Sequence, residues 1–180
     1  MAKVLGICGS PRKNGNSEIA LNMLFAECQK NGVETEKILL SCADIKMCKG
    51  CLSCEDNADC PLKDDAMLIF DKMLNSNVIV FSTPSYFDNI TGLLKNFLDR
   101  SNLIVNNLKG KKVAIIVVGQ ADETSRLSAI KAMKSYCDIT DMEVIEGITF
   151  QTREIGDLVK NDIAERKLCD IAKKIIANVE

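Results

Sequence analysis

Short apolar runs alternate with helical repeats along most of this chain. Val4–Ile7 has the length and composition of a buried strand and ends at Gly9. Over residues 17–31 the period changes: Ile19/Met23, Ala20/Leu24 and Leu24/Cys28 stand four apart, which predicts a helix, and Gly32 closes it. Val33–Leu40 predicts a second strand. Asp64 and Asp65 then open a helix carrying Met67, Leu68, Phe70 and Leu74, because acidic side chains in a first turn favour the helix dipole. Val78–Phe81 is apolar at every position, as expected for a strand covered on both faces. A loop over Thr83–Thr91 precedes a helix with Leu93/Phe97 and Leu94/Leu98 pairs. Val113–Val118 predicts the fourth strand, ended by Gly119. A helix near 124–137, a strand near 143–150 and a final helix over roughly 157–178 follow, the last carrying Ile163, Leu168, Ile171 and Ile175. This alternation predicts an α/β fold with a parallel sheet, in one domain over residues 1–180.

Composition narrows the function classes. The net charge of −2 gives no electrostatic case for nucleic acid or for an anionic membrane surface. The longest apolar run, Val113–Val118, is far too short to span a bilayer. The chain moves from Met1 straight into a strand pattern rather than a secretion signal, so nine cysteines point to a reducing cytoplasm. No histidine is present, which excludes Ser–His and Cys–His hydrolases and most catalytic zinc sites.

Four of the cysteines form one compact run, Cys48-x2-Cys51-x2-Cys54-x5-Cys60, in an irregular loop over residues 42–63. Four thiolates on one loop can hold an iron–sulfur cluster. The Cys-x2-Cys-x2-Cys start has ferredoxin-type spacing and Pro61 follows the fourth cysteine, but the last gap is x5 rather than x3. With a single run in the chain, all four would serve one cluster. Zinc is an alternative, although its two Cys pairs normally come from separated turns, and so are reduced thiols with no metal. Cys28, Cys137 and Cys169 fall on helical patterns and are expected in the core, and Cys42 is a packed or spare thiol near the loop.

The first strand runs into Gly9-Ser10-Pro11-Arg12-Lys13-Asn14-Gly15-Asn16-Ser17. It lacks the Gly-Lys-Ser/Thr of a Walker A loop and the Gly-x-Gly-x-x-Gly of a dinucleotide fold. Its small and polar residues nevertheless suit a terminal phosphate at a helix start, with donors from Ser10, Asn14, Asn16 and Ser17 and a charge from Arg12. The alternative is a simple capped helix with Asn16 or Ser17 as N-cap.

The Gly-Ser-Pro-Arg-Lys-x-Gly-Asn-Ser loop resembles the FMN phosphate loop of the NADPH-dependent FMN reductase superfamily, a flavodoxin-like group. The cysteine run is similar to that of its iron–sulfur flavoprotein branch. Thr83-Pro84-Ser85-Tyr86-Phe87-Asp88-Asn89 and Leu94–Arg100 resemble the family's second flavin loop and the helix after it. The resemblance implies a doubly wound sheet of order 2-1-3-4-5 with the cysteine-rich loop inserted after strand 2. It also implies FMN, a 4Fe–4S cluster and a homodimer or homotetramer. By the family pattern Ser10, Arg12, Asn14, Asn16 and Ser17 hold the FMN phosphate, and Pro84, Ser85, Tyr86, Phe87 and Asn89 line the isoalloxazine. Cys48, Cys51, Cys54 and Cys60 ligate the cluster. Family members often carry a glycine-rich third loop after strand four; here that segment reads Gly119-Gln120-Ala121-Asp122-Glu123-Thr124-Ser125, and Gly119 joins the flavin contacts. All three loops are expected beyond the carboxyl ends of the strands, on one rim. The cysteines follow the edge strand, which sets cluster and flavin apart within a subunit; the family's dimer would bring one subunit's cluster to its partner's flavin.

The expected function is an electron-transfer oxidoreductase relaying electrons between cluster and FMN, with a low-potential donor such as ferredoxin, or NAD(P)H, and a small-molecule acceptor. No side chain is assigned as a catalytic acid or base. One rival is an NAD(P)H-dependent flavin or quinone reductase with structural or zinc-bound cysteines. Another is a non-enzymatic flavodoxin-like redox sensor.

Overall fold

The computed structural model describes residues 4–56 and 59–179; residues 57 and 58 of the 42–63 loop, and residues 1–3 at the start, lie outside the described residues. Strands β1 (Val4–Cys8), β2 (Thr35–Leu39), β3 (Val78–Pro84), β4 (Lys112–Gly119) and β5 (Glu143–Gln151) form one parallel sheet in the order β2-β1-β3-β4-β5. Between them run α1 (Asn16–Lys30), a four-residue α2 (Ser53–Asp56) inside the cysteine loop, α3 (Ala66–Leu74), α4 (Gly92–Arg100) and α5 (Glu123–Ile139); α6 (Asp162–Ile176) comes last. The flavodoxin-like topology expected from the sequence is therefore present. Among the described residues no helix is long and apolar enough to cross a membrane.

The continuous apolar runs are the central strands. Leu5, Ile7, Ile79, Phe81, Val113, Ile115 and Val117 face a core closed by α3, α4 and α5. Their neighbours Val4, Val78, Val80, Ala114, Ile116 and Val118 face a second core under α1 and α6. That is the period of two that splits one apolar run between two layers. The edge strands β2 and β5 carry charged residues among apolar ones and are mostly half-buried.

The second strand is shorter than the sequence pattern suggests, Thr35–Leu39 rather than Val33–Leu40, and three other elements depart from that pattern as well. β3 continues beyond Phe81 because its polar end is satisfied inside the fold: the Ser82 hydroxyl donates to the Ser17 carbonyl at 2.8 Å. α6 begins at Asp162 rather than near 157, since the Asn161 Oδ1 accepts from the Ile163 and Ala164 N–H groups and fixes the start there. A 3-10 turn over Ser101–Asn107, unmarked by any periodicity, continues α4.

Two contacts fix the loop between β1 and α1. Gly6 lets α1 lie directly on β1: a Cβ there would stand 2.6 Å from the Phe25 ring. Glu18, in the first turn of α1, accepts the Asn14 N–H at 2.7 Å and pairs with Lys37 of β2 at 2.6 Å. Asn14 takes a left-handed turn (φ 56°) that the first of these bonds holds. Burial opposes the charge on Glu18, but the Lys37 ammonium, the Asn14 N–H and nearby Lys13 together outweigh it, so the carboxyl titrates below the ordinary glutamate range.

Gly6→Ala should lower stability by about 1–3 kcal/mol through overpacking against Phe25, measured by denaturant unfolding. Shrinking the ring in Gly6→Ala/Phe25→Leu should return part of that loss. Glu18→Gln should cost roughly 1–3 kcal/mol at neutral pH. Because the folded-state pKa of Glu18 is depressed, its stabilising contribution is complete above the unfolded glutamate value of about 4.3 and disappears as pH falls through the lower folded value. Unfolding curves of the two proteins should thus be well separated at pH 7 and converge in acid; a gap that widens in acid would contradict the assignment.

Candidate functional site

A recess of about 490 Å³ opens at the carboxyl ends of β1, β3 and β4. Strand order reverses between β1 and β3, and in a doubly wound sheet that is where a crevice forms. Ser10, Arg12, Gly15, Asn16 and Ser17 line one end; Pro84, Ser85, Tyr86, Phe87 and Gly119 line the other. The residues at the first end fit a phosphate. α1 starts from Gly15 with no side-chain cap, so neither Asn16 nor Ser17 plays the N-cap role that the simpler reading of the loop required. The first amides of a helix have no intrahelical acceptor. The Ser17 hydroxyl oxygen is buried and makes no hydrogen bond among the described residues. A buried hydroxyl and open amides at a helix start make an anion cradle.

Asn16 has a different task from the one its position suggests. Its amide nitrogen donates to the Glu154 carbonyl at 2.7 Å and its oxygen accepts the Gly156 N–H at 3.0 Å. It ties the loop after β5 to the helix start, and Thr152, Arg153, Glu154 and Ile155 of that loop form a wall that the sequence pattern assigned to no site. Asn14 and Asn89 stay outside the lining. Asn14 shapes the turn described above. Asn89 pairs with Tyr86 through both backbone groups, closing a tight turn in which Phe87 (φ 49°) and Asp88 (φ 59°) are left-handed. A phenylalanine is a strained choice for that conformation. The turn leaves Tyr86 half-exposed and Phe87 fully exposed at the rim.

The second recess, of about 580 Å³, contains all four cysteines of the compact run. The loop that carries them is zipped at its neck. The Asp44 N–H donates to Asp65 at 2.7 Å, the Lys46 N–H to Asp64 at 3.0 Å, and the Asp65 N–H to the Asp44 carbonyl at 3.0 Å. Two side chains one turn apart on α4 fasten that neck: Asn96 donates to the Ile45 carbonyl at 3.0 Å and Arg100 to the Lys46 carbonyl at 2.9 Å. Arg100 forms a fully buried ion pair with Asp64 at 2.5 Å. Burial again opposes the Asp64 charge, and the Arg100 bond with the Lys46 and Ala66 N–H groups more than offsets it, holding that carboxyl below the usual aspartate range. Asn102, on the 3-10 turn, donates to the Cys54 sulfur at 3.3 Å.

This pinning corrects one expectation. The phosphate loop and the Tyr–Phe loop do leave the carboxyl rim together, but the cysteines do not remain there. The loop descends along the helix face, where its recess meets the ends of α4 and α5 at Leu98, Arg100, Tyr136, Ile139 and Thr140. The two recesses share no lining residue. Helix α4, nine residues or about 14 Å long, meets the second recess only at its carboxyl end, and none of its residues lines the first.

The nine cysteines divide by environment. Cys8, Cys28 and Cys137 are buried, and burial raises their thiols to about 11, 11 and 12, which makes them inert packing groups. Cys169, expected in the core, is half-buried, and Cys42 is exposed and outside the recess lining. Cys48, Cys51, Cys54 and Cys60 are exposed or half-buried. The Ser53 hydroxyl and N–H lower the Cys51 pKa and so favour the thiolate that binds metal. Among the described residues no three Cys, Asp or Glu side chains converge closely enough for a single ion. All four cysteines nevertheless line one recess, and four thiolates from one short loop are the donor set an iron–sulfur cluster uses.

Comparison with known proteins places the chain in a family. The NADPH-dependent FMN reductase family matches residues 2–156. An iron–sulfur flavoprotein of Methanosarcina thermophila is 30% identical over 187 residues, which is 98% of this chain and 98% of that one. An iron–sulfur flavoprotein of Methanocaldococcus jannaschii is 29% identical over 183 residues, 96% of this chain and 95% of its own. Among solved structures, a flavone reductase superposes with a TM-score of 0.79 at 21% identity, covering 98% of this chain and 62% of that one, which is a likeness of fold. The chain belongs to the NADPH-dependent FMN reductase family, within its iron–sulfur flavoprotein branch.

Proposed function

We propose that this protein is an electron-transfer oxidoreductase that holds FMN in the rim recess and a 4Fe–4S cluster in the cysteine recess. One observation carries the reading: the four cysteines of the compact run line a single recess, while a separate recess ends at an uncapped helix start. Bound FMN exchanges one or two electrons and a cluster exchanges one, so the pair supplies a conversion between one- and two-electron chemistry.

The chain supplies binding and placement. Ser17, Ser10, Arg12 and the first amides of α1 hold the phosphate, and Asn16 keeps the 152–156 wall closed over it. Pro84, Ser85, Tyr86, Phe87 and Gly119 bound the ring end. Asn14 and Asn89 act through the turns they shape. Cys48, Cys51, Cys54 and Cys60 are the cluster ligands. Moving an electron needs no proton-transfer side chain, in keeping with a chain that has no histidine. The donor is a low-potential carrier such as ferredoxin, or NAD(P)H, and the acceptor is a small molecule. The separation of the recesses supports a homodimer or homotetramer in which the cysteine recess of one subunit approaches the flavin recess of its partner.

A second reading keeps the flavin and removes the cluster from the electron path. It is favoured by the NADPH-dependent character of the matching family. Protein prepared without oxygen and supplied with iron and sulfide decides between them. The wild type should carry one FMN and about four irons per chain. Cys51→Ala should lose the iron, keep the FMN and lose electron transfer from ferredoxin. Ser17→Ala should keep the iron and bind FMN roughly tenfold more weakly, the effect of losing one hydrogen bond to a charged group. Wild-type protein that binds FMN but stays free of iron, with rapid NADPH oxidation intact, would leave the second reading standing.

A further inference from the structure

Arg100 is unusual for a residue in the last turn of a helix. A cation there ordinarily points into water and favours the helix dipole. This one has a side chain 1% exposed, and its partner Asp64 is 0% exposed. A buried ion pair is weak as a stabilising device, because well-packed apolar side chains do as well. The directions of its donors explain its presence better. Nη1 donates to Asp64 at 2.5 Å and to the Lys46 carbonyl at 2.9 Å. Nη2 is placed between Asp64 at 3.3 Å, the Leu62 carbonyl at 3.4 Å and the Cys60 sulfur at 3.4 Å. Nε is buried and has no partner among the described residues. Two residues further on, the Asn102 amide donates to the Cys54 sulfur at 3.3 Å and reaches Glu55 at 3.5 Å. The last residue of α4 and the turn that follows it therefore direct N–H groups at two of the four sulfurs, and both residues line the recess.

We propose that Arg100 and Asn102 are positioning residues for the cluster: their N–H groups orient the Cys60 and Cys54 sulfurs and raise the reduction potential of the centre those sulfurs hold. This inference rests on the reading of the quartet as cluster ligands. Cluster potentials follow net charge, hydrogen bonds to sulfur and solvent exposure. One-electron reduction adds a negative charge to the centre, so donors aimed at its sulfurs stabilise the reduced form more than the oxidised form. Asp64 cancels the net charge of Arg100, and what acts on the sulfur is the near end of an oriented pair. Arg100 has a second duty, because the same guanidinium grips the loop at Lys46 and Leu62. Asn102 is exposed and holds no part of the loop neck, which makes it the cleaner probe.

The test uses the full chain loaded with iron and sulfide without oxygen, as wild type, Asn102→Ala, Arg100→Lys and Arg100→Met. Iron content and a dye-mediated potentiometric titration, followed by electron paramagnetic resonance, are read for each. Asn102→Ala should keep wild-type iron content. At the ambient potential that half-reduces the wild type, its ratio of reduced to oxidised cluster should fall three- to tenfold, a shift of about 30–60 mV for a one-electron couple. Arg100→Lys keeps the charge and loses the planar fork, so it should retain more iron than Arg100→Met under a chelator challenge and also titrate at a lower potential than wild type. Asn102→Ala and Arg100→Lys proteins with full clusters and unshifted potentials would overturn the inference and leave the proposed function intact. A wild type that takes up no cluster would overturn both.

Discussion

One helix sets the geometry on which both recesses depend. α4 begins at Thr91, whose hydroxyl donates to the Gly9 carbonyl at 2.6 Å and accepts the Leu94 N–H at 3.1 Å. Its start is thus bonded to the loop between β1 and α1. Gly9 also packs against Leu94 so closely that a Cβ would lie 2.7 Å from it. The other end of α4 is Arg100, which grips the cysteine loop. A nine-residue helix has no soft joint between these two attachments, so neither recess can shift without moving the other or distorting a buried contact. The aromatic pair Phe70–Phe97, with centroids 5.2 Å apart, joins α4 to α3, and Leu94 and Leu98 pack into the core beneath the sheet.

The same constraint explains why the cysteine loop differs from an ordinary surface excursion. A long loop with few apolar residues has little reason to hold one shape. Here its neck is closed by backbone and carboxylate bonds at residues 44–46 and 64–65, and its far side rests on the Ser101–Asn107 turn. Exposed thiols near a serine donor contrast with the buried ones, whose raised pKa values leave them unreactive. Of the cysteines that are not buried, the four of the compact run are the ones that line the recess.

Much of the fold was legible because the central strands are apolar at every position and the helices carry clear four-residue spacing. The cysteine run and the phosphate loop were legible because their chemistry lies in consecutive residues. What remained hidden depends on contacts between distant segments. Asn16 reads locally as a donor, yet its amide is engaged by Glu154 and Gly156, well over a hundred residues away in the chain. The sequence pattern assigns Arg100 no role. The one available signal was its place three residues after Phe97, on the inward stripe with Leu94 and Leu98. The descent of the cysteines from the rim to the helix face followed from the Asn96 and Arg100 bonds, which no local pattern announces.

The most direct measurement is an iron-edge anomalous difference map from crystals grown without oxygen. The account predicts iron density enclosed by Cys48, Cys51, Cys54 and Cys60 and bordered by Arg100 and Asn102, with a flavin in the rim recess and its phosphate at Ser17. A lone tetrahedral ion on the quartet, or four sulfurs turned away from one another around no metal, would contradict it.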